Sequence, residues 1–237
     1  MKNKLAIAAL AVLAFAAIAV SACTRAPTDG ALYFPLKAGM AWTFRFSESG
    51  GATGQLTTTN LAPRKLYGLA VFPQQTSGGE KTYTEFYVDD GSGIRHAAID
   101  EGEGLQSRMN DHSYVIKLPI KVGTSWREIG RTFDGTIYDA TTRIESVSDK
   151  VSVPAGTFSG CVRVKSTGTA SPVRGIAGVP WGGGGLSMIA SGDVSVEEYY
   201  WLAPGVGPVK ATHQETQGEG PMAQSVAFTL ELEHLKQ

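Results

Sequence analysis

The chain has 237 residues, 21 Lys and Arg against 22 Asp and Glu, and a formal charge of −1 at pH 7. No clustered basic surface accompanies that balance, which argues against a nucleic-acid binder. The length suits one sizeable core, since β domains of about 200 residues are ordinary.

The chain opens MKNK, runs through LAIAALAVLAFAAIAV without a charge, and reaches Ser21-Ala22-Cys23. Basic residues, an apolar run and small residues before a cut site predict an export signal over residues 1–22. A transmembrane anchor would need roughly 20 apolar residues and a stop-transfer flank. Val20-Ser21-Ala22-Cys23 resembles the lipobox of bacterial lipoproteins. That resemblance implies cleavage before Cys23, a diacylglycerol on its thiol and acylation of the new amine, so that the lipid bilayer is the first partner. Two or more acyl chains give stable attachment where one is marginal. Thr24, rather than Asp, follows the cysteine; under the sorting rule of enteric bacteria this favours the outer membrane, facing the periplasm. Ordinary cleavage with Cys23 left free is the alternative. Loss of residues 1–22 removes Lys2 and Lys4 and no acid, leaving a formal charge of −3. With Cys23 lipidated, Cys161 has no partner for a disulfide and reads as a small buried hydrophobe.

Residues 23–30 form a lipidated N-terminus and short polar tether, and residues 31–237 a single β domain. From Ala31 onward, period-two segments rich in Thr, Val, Tyr and Phe alternate with Gly, Pro, Asp and Ser clusters, the pattern of an all-β fold. AWTFRFSE (41–48), KTYTEFYVDD (81–90), TIYDATTRIESV (136–147), GCVRVKST (160–167), DVSVEEYYWL (193–202) and SVAFTLELEHL (225–235) read as strands. In the last, Val226, Phe228, Leu230 and Leu232 face one way and Thr229, Glu231 and Glu233 the other, as in an antiparallel sheet with one buried face. No segment of the mature chain shows a helical period. A meander of about ten or more strands must curl, close or split, so the expected fold is a single antiparallel, strongly curved sheet or partial barrel, with a two-layer β-sandwich as the alternative.

One stretch breaks the pattern: residues 171–193 hold four consecutive glycines beside Trp181, Leu186, Met188 and Ile189. A glycine run is too free to be a stable strand, so it reads as a loop or hairpin extension, or as a flap carrying Trp181 toward a ligand or partner.

FPLKAGMAW (34–42) and LPIKVGTSW (118–126) share Pro, Lys, Gly and Trp at one spacing. Pro fixes φ, Gly can turn the chain with φ > 0, and Trp supplies a large inward apolar area. The phrase therefore predicts a corner leading into a strand. Downstream the copies differ: Trp42, Phe44 and Phe46 are apolar, whereas Trp126 is followed on its side by Glu128 and Gly130.

YFPLKAGMAWTF, LPIKVGTSW, VSVPAGTFSGCVRVK (151–165) and EYYWLAPGVGPVK (198–210) follow in that order. The succession resembles a family of exported bacterial β proteins and lipoproteins of unknown function, labelled TapB-like and placed near the lipoprotein-carrier fold. A carrier relation implies a curved sheet enclosing an apolar ligand. Pro208 and the Gly-rich segment depart from the family pattern. Tyr199, Tyr200 and Trp201, feeding the turn at 204–208, are candidates for a ligand or partner surface, with core packing as the plainer reading.

Chemistry is sparse. G-x-S-x-G is absent, and His96, His112, His213 and His234 show no ligand spacing. Asp89, Asp90, Asp100, Glu101 and Glu103 lack the calcium-loop pattern and read as solvated hairpin tips. Glu197 and Glu198, as strand neighbours, face opposite ways. The sequence thus calls for no catalytic residue, metal or cofactor. It predicts a non-catalytic envelope lipoprotein binding an apolar ligand or an envelope partner. Alternatives are a structural or assembly component of a surface or secretion system, or a hydrolase with a dispersed active site.

Overall fold

The computed structural model describes residues 29–78, 81–102, 106–109, 112–132, 136–171, 193–218 and 223–237. Among them, fourteen strands form one antiparallel sheet, nearly closed into a barrel. They are β1 (Ala41–Glu48), β2 (Thr53–Asn60), β3 (Arg64–Leu66), β4 (Leu69–Gly78), β5 (Lys81–Asp89), β6 (Gly93–Asp100), β7 (Gln106–Arg108), β8 (Tyr114–Lys117), β9 (Ser125–Arg131), β10 (Ile137–Val153), β11 (Gly156–Ala170), β12 (Val194–Ala203), β13 (Gly207–Gln217) and β14 (Gln224–Lys236). The path runs β7-β6-β5-β4-β2-β1-β14-β13-β12-β11-β10-β9, with β3 on β4 and β8 on β6. Neighbours in sequence are mostly neighbours in space; β2 pairs with β4 and β6 also with β8, and the long-range pairing of β1 with β14 joins the two halves of the chain. A sheet this long twists and curls, so the fold is a rolled sheet and not the two-layer sandwich.

The sequence showed no helical period, yet α1 (Asp29–Tyr33) precedes β1. Five residues are too few to display one. The helix overlaps the predicted tether by two residues, and Leu32 O accepts from Gly205 N–H at 2.7 Å, fixing it to the β12–β13 turn.

The repeated phrase builds the same corner twice. Gly39 has φ +87° and its N–H donates to Asn60 O at 2.8 Å, while Met40 N–H reaches Lys37 O at 3.4 Å. Gly123 has φ +90°, its N–H donates to Ile144 O at 2.9 Å, and Thr124 N–H reaches Lys121 O at 3.1 Å. In both, positive φ at the third turn residue makes a type II turn, which glycine adopts without steric cost. The following hairpins share a register as well, Trp42 opposite Thr58 and Trp126 opposite Thr142, 84 residues apart. The duplication therefore reaches past the corner into the first hairpin of each half. The corners are held differently: Asn60 Nδ2 donates to Pro35 O and Lys37 O, whereas Thr124 Oγ1 donates to Pro119 O.

Apolar packing is concentrated where β1 and β9 begin. Trp42 is 1% exposed and its indole N–H donates to Val206 O at 2.7 Å; Trp126 is 6% exposed and donates to Tyr114 O at 2.8 Å. Trp126 so links β9 to β8, across a seam that has no ladder. Around Trp42 pack Met40, Phe44, Leu232, Val151 and the fully buried Cys161. Around Trp126 pack Phe34, Ile94, Ile116, Ile144 and Leu202, drawn from both halves of the sheet. Burial raises the Cys161 thiol pKa, with the Asp149 carboxylate adding to it, so the sulfur is a packing atom.

Turn chemistry follows the sequence. Asp89 and Asp90 carboxylates accept from Gly91 and Ser92 N–H between β5 and β6, and Asp100 from Gly102 N–H. In β14, Phe228, Leu230 and Leu232 keep the predicted face, but a register shift opposite Thr43 and Phe44 puts Leu235 inward and leaves His234 exposed.

Because Trp42 is buried against both halves, Trp42→Ala is expected to cost about 3–5 kcal/mol. Chemical denaturation checks this, and an unchanged midpoint would place the indole outside the core.

Candidate functional site

Strand alternation determines what enters the barrel. On β12 the register sets Val164 opposite Tyr200 and Ser166 opposite Glu198, and Val164 and Ser166 are both buried. Tyr200 and Glu198 thus point inward, and Glu197, Tyr199 and Trp201 outward. The next strand continues the row: Glu198 faces His213, and His213 faces Phe228 of β14. From the other direction, β9 and β10 contribute Glu128, Tyr138 and Thr142.

These side chains make one connected group. Tyr200 O–H donates to Glu198 Oε2 at 3.1 Å. His213 Nδ1 lies 2.5 Å from Glu198 Oε1 and Nε2 lies 2.8 Å from Glu215 Oε1. The imidazole stacks on Phe228, with centroids 5.0 Å apart and planes 11° apart. Burial by itself would lower the His213 pKa; the hydrogen bonds to Glu198 and Glu215 overcome it and raise the pKa to about 9. At neutral pH the ring is therefore an imidazolium between two carboxylates.

Glu128 lies beside this group. Thr142 Oγ1 donates to Glu128 Oε1 at 2.6 Å and stands 2.9 Å from Ser166 Oγ. Burial raises the Glu128 pKa to about 7, with the Glu198 charge adding to the rise and the two hydroxyls opposing it. Tyr138 is raised by burial and then by the charges of Glu198, Glu128 and Glu215, so these groups converge on one region. Its ring has room because Gly130 and Gly168 flank it: a Cβ on either would fall 2.3 or 2.4 Å from a Tyr138 ring carbon.

Tyr200 points inward by strand parity and yet 37% of its surface is accessible; burial, and then the Glu198 and Glu128 charges, raise its pKa well above the ordinary range. Tyr87, on β5 across the barrel, feels the Tyr200 oxygen. The walls differ in character. Phe46, Leu56, Phe228 and Leu230, from β1, β2 and β14, form an apolar, half-buried side. Phe46 and Phe228 rings are 5.8 Å apart. Glu128, Glu198, Tyr200 and His213 make the polar side. Glu85 and His96, 3.7 Å apart, continue it on β5 and β6.

The residues singled out from sequence are dispersed by this arrangement. Tyr200 enters the lumen. Tyr199 and Trp201 lie on the outer face, stacked at 5.8 Å, with Lys165 over Tyr199 and Asp149 accepting from the Trp201 indole. Cys23 and Trp181 lie outside the described residues, as does the Gly-rich segment apart from its ends, where Ser171 Oγ donates to Asp193 at 2.6 Å. Among the described residues, no helix is long and apolar enough to cross a membrane, and no three His, Cys, Asp or Glu are grouped to hold a metal ion. Sequence reasoning missed Glu128, His213 and Glu215. The signals were His-x-Glu on an alternating strand, which shares a face, and Glu128 standing in the second copy where the first has Phe44.

No family model matches the chain, and no curated protein matches it. Two solved structures are similar. One, described as a lipoprotein from Parabacteroides distasonis, has 15% identity and TM-score 0.41, covering 86% of this chain and 98% of its own. The other, described as an exported protein with a YmcC-like fold from Bacteroides fragilis, has 13% identity and TM-score 0.42, covering 87% and 99%. Likenesses this remote carry no argument about activity, and the TapB-like label finds no match.

The two raised pKa values have one sign. A group whose folded pKa exceeds its unfolded value stabilises fully below the unfolded pKa and loses that contribution as pH rises through the folded one. Glu128 therefore weakens the fold between pH 4.5 and 7, and His213 between 6.5 and 9. Melting temperature is expected to fall across pH 5 to 9. Glu128→Gln should remove the lower part of that fall, on the order of 3 kcal/mol at most, and leave the upper part. Wild-type and variant curves that run parallel would contradict the placement of Glu128.

Proposed function

We propose that the protein is a lipid-anchored component of the bacterial cell envelope, tethered through acylated Cys23 at the outer membrane, whose barrel binds a small amphipathic ligand without catalysis. The observation that carries the binding role is that Tyr200 points inward and stays 37% accessible, in an interior that holds the half-buried Phe46, Leu56 and Leu230 on one side and the Glu128 and Glu198 carboxylates on the other. A cavity that concentrates apolar lining with a few convergent polar groups is the usual form of a ligand site. Support for the anchor comes from Val20-Ser21-Ala22-Cys23. The apolar ligand of the carrier resemblance is refined here to an amphiphile, because half of the described lining is polar.

A hydrolytic role has one observation in its favour: Glu128, at about 7, has the pKa of a general acid. The His213 ring is not available as its base, since both nitrogens are engaged by carboxylates. An assembly role would call for a broad apolar patch. The exposed large apolar residues, among them Leu32, Tyr67, Val122 and Ile137, come from separate elements.

Two measurements test the proposal. Cys23→Ser is expected to abolish metabolic labelling with a fatty-acid analogue, and persistent labelling would remove the anchor. Solvent extraction of the domain from residue 29 onward, followed by mass spectrometry, is expected to release an amphiphile. Ala211→Phe, which sets a ring opposite Tyr200, should reduce its yield. An extract with no such molecule would contradict the binding role.

A further inference from the structure

We infer that the end of the barrel carrying α1 and the two lead-in corners is a membrane-facing surface, which lies against the anionic headgroups of the bilayer through Lys37, Lys121 and the exposed Leu32, Leu61 and Val122. The far end then points away from the membrane. This rests on the anchor reading above, since it takes Cys23 to be acylated, and it gives the bilayer a docking face on the domain itself.

The pairings bring these residues to one end. Ala41, where β1 begins, stands opposite Thr59 near the end of β2 and Lys236 at the end of β14. Gly39 N–H donates to Asn60 O, so the first corner lies beside Leu61. Leu118 N–H donates to Ser92 O at 2.8 Å and sets the second corner against the β5–β6 turn. Phe34, which follows α1, meets Tyr87 near the end of β5 with ring centroids 4.9 Å apart. Leu32 is fixed to the β12–β13 turn through Gly205. Ser171 and Asp193, beyond the pair Ala170 and Val194, stand at the opposite end.

The tether decides which end meets the lipid. Asp29 is six residues from Cys23, a span of at most about 20 Å when fully extended. β12 alone, with 10 residues, runs about 33 Å along the barrel. An acylated Cys23 therefore keeps the α1 end within reach of the headgroups.

What that end exposes suits such a surface. Val122 is 60% exposed, Leu32 48% and Leu61 37%. They come from three connections and not from one patch, so each enters the headgroup layer singly, with the lysine stems alongside. The first residue of each corner turn is an exposed lysine, Lys37 in one and Lys121 in the other. Lysines are drawn to an anionic leaflet, and the attraction fades within a Debye length, so it acts only on an end held close. Of the acids at this end, Asp89 and Asp90 are bound into the β5–β6 turn, and Asp90 also meets Arg95 and Tyr114. Asp29 remains exposed at the start of α1.

The test uses the full acylated chain reconstituted in vesicles of phosphatidylethanolamine and phosphatidylglycerol. A fluorescent probe is placed by Val122→Cys or, in the β1–β2 turn at the far end, by Ala52→Cys, and a lipid spin-labelled on its headgroup serves as quencher. Quenching at position 122 is expected to exceed that at position 52 about threefold, and Lys37→Gln with Lys121→Gln to lower it by about half, with the circular dichroism spectrum unchanged. Equal or stronger quenching at position 52 would overturn the orientation. Quenching at position 122 that ignores the lysine substitutions would overturn the docking face, leaving an end held near the bilayer by its tether alone. In either case the chain still floats with the vesicles; a chain that does not float would overturn the anchor reading together with the inference.

Discussion

Pairing of β1 with β14, which joins the two halves of the sheet, is the constraint from which the rest follows. Two half-sheets left apart would present β1 and β14 as long unpaired edges, each a template for association. Pairing the first long strand with the last satisfies Ala41–Glu48 on both sides, against Thr53–Thr59 and Phe228–Lys236. It also brings the halves of the chain together, so that one face of every strand looks into a shared interior. The remaining seam, between β8 and β9, is bridged by the Trp126 indole and by apolar side chains from both sides of it.

Once the sheet is rolled, side-chain parity becomes a sorting rule. Inward positions near the lead-in corners are apolar and packed, and those further along are not. There Glu128, Glu198 and Tyr200 share the interior with Phe46 and Phe228, His213 stacks on Phe228, and part of Tyr200 stays uncovered. Burying several carboxylates with one imidazolium is expensive, and the fold limits the cost with hydroxyl donors: Thr142 for Glu128 and Tyr200 for Glu198. A protein needing only stability would have filled these positions with aliphatic side chains, as it does at Ile144 and Leu202 two or three rungs away.

Much of the fold was legible before any coordinates. Period two gave the strands, Asp-Asp-Gly gave the β5–β6 turn, and the repeated Pro-x-Lys-x-Gly phrase gave both corners, because each depends on local stereochemistry. Pairings at a distance were not legible. Nothing near Glu128 in sequence says that it will feel the charge of Glu198, 70 residues away, since the two are brought near each other only by the pairings of β9 with β10, β10 with β11 and β11 with β12. His234 shows a smaller limit: strict alternation would put it on the face of Leu232, but one extra residue in β14 reverses its parity, and no local signal marks the bulge. Tyr199, Tyr200 and Trp201 form a cluster in sequence and not in space, for the same alternation that separates Glu197 from Glu198.

The account stands on His213 being held as an imidazolium inside the barrel by Glu198 and Glu215. Long-range nitrogen–proton NMR of the histidine rings across pH 6 to 10 tests this most directly. The account predicts that His213 keeps both ring protons at pH 8 and titrates near 9. A neutral ring titrating near 6.5 would mean that the carboxylates do not flank it, and that the lumen described here does not exist in solution.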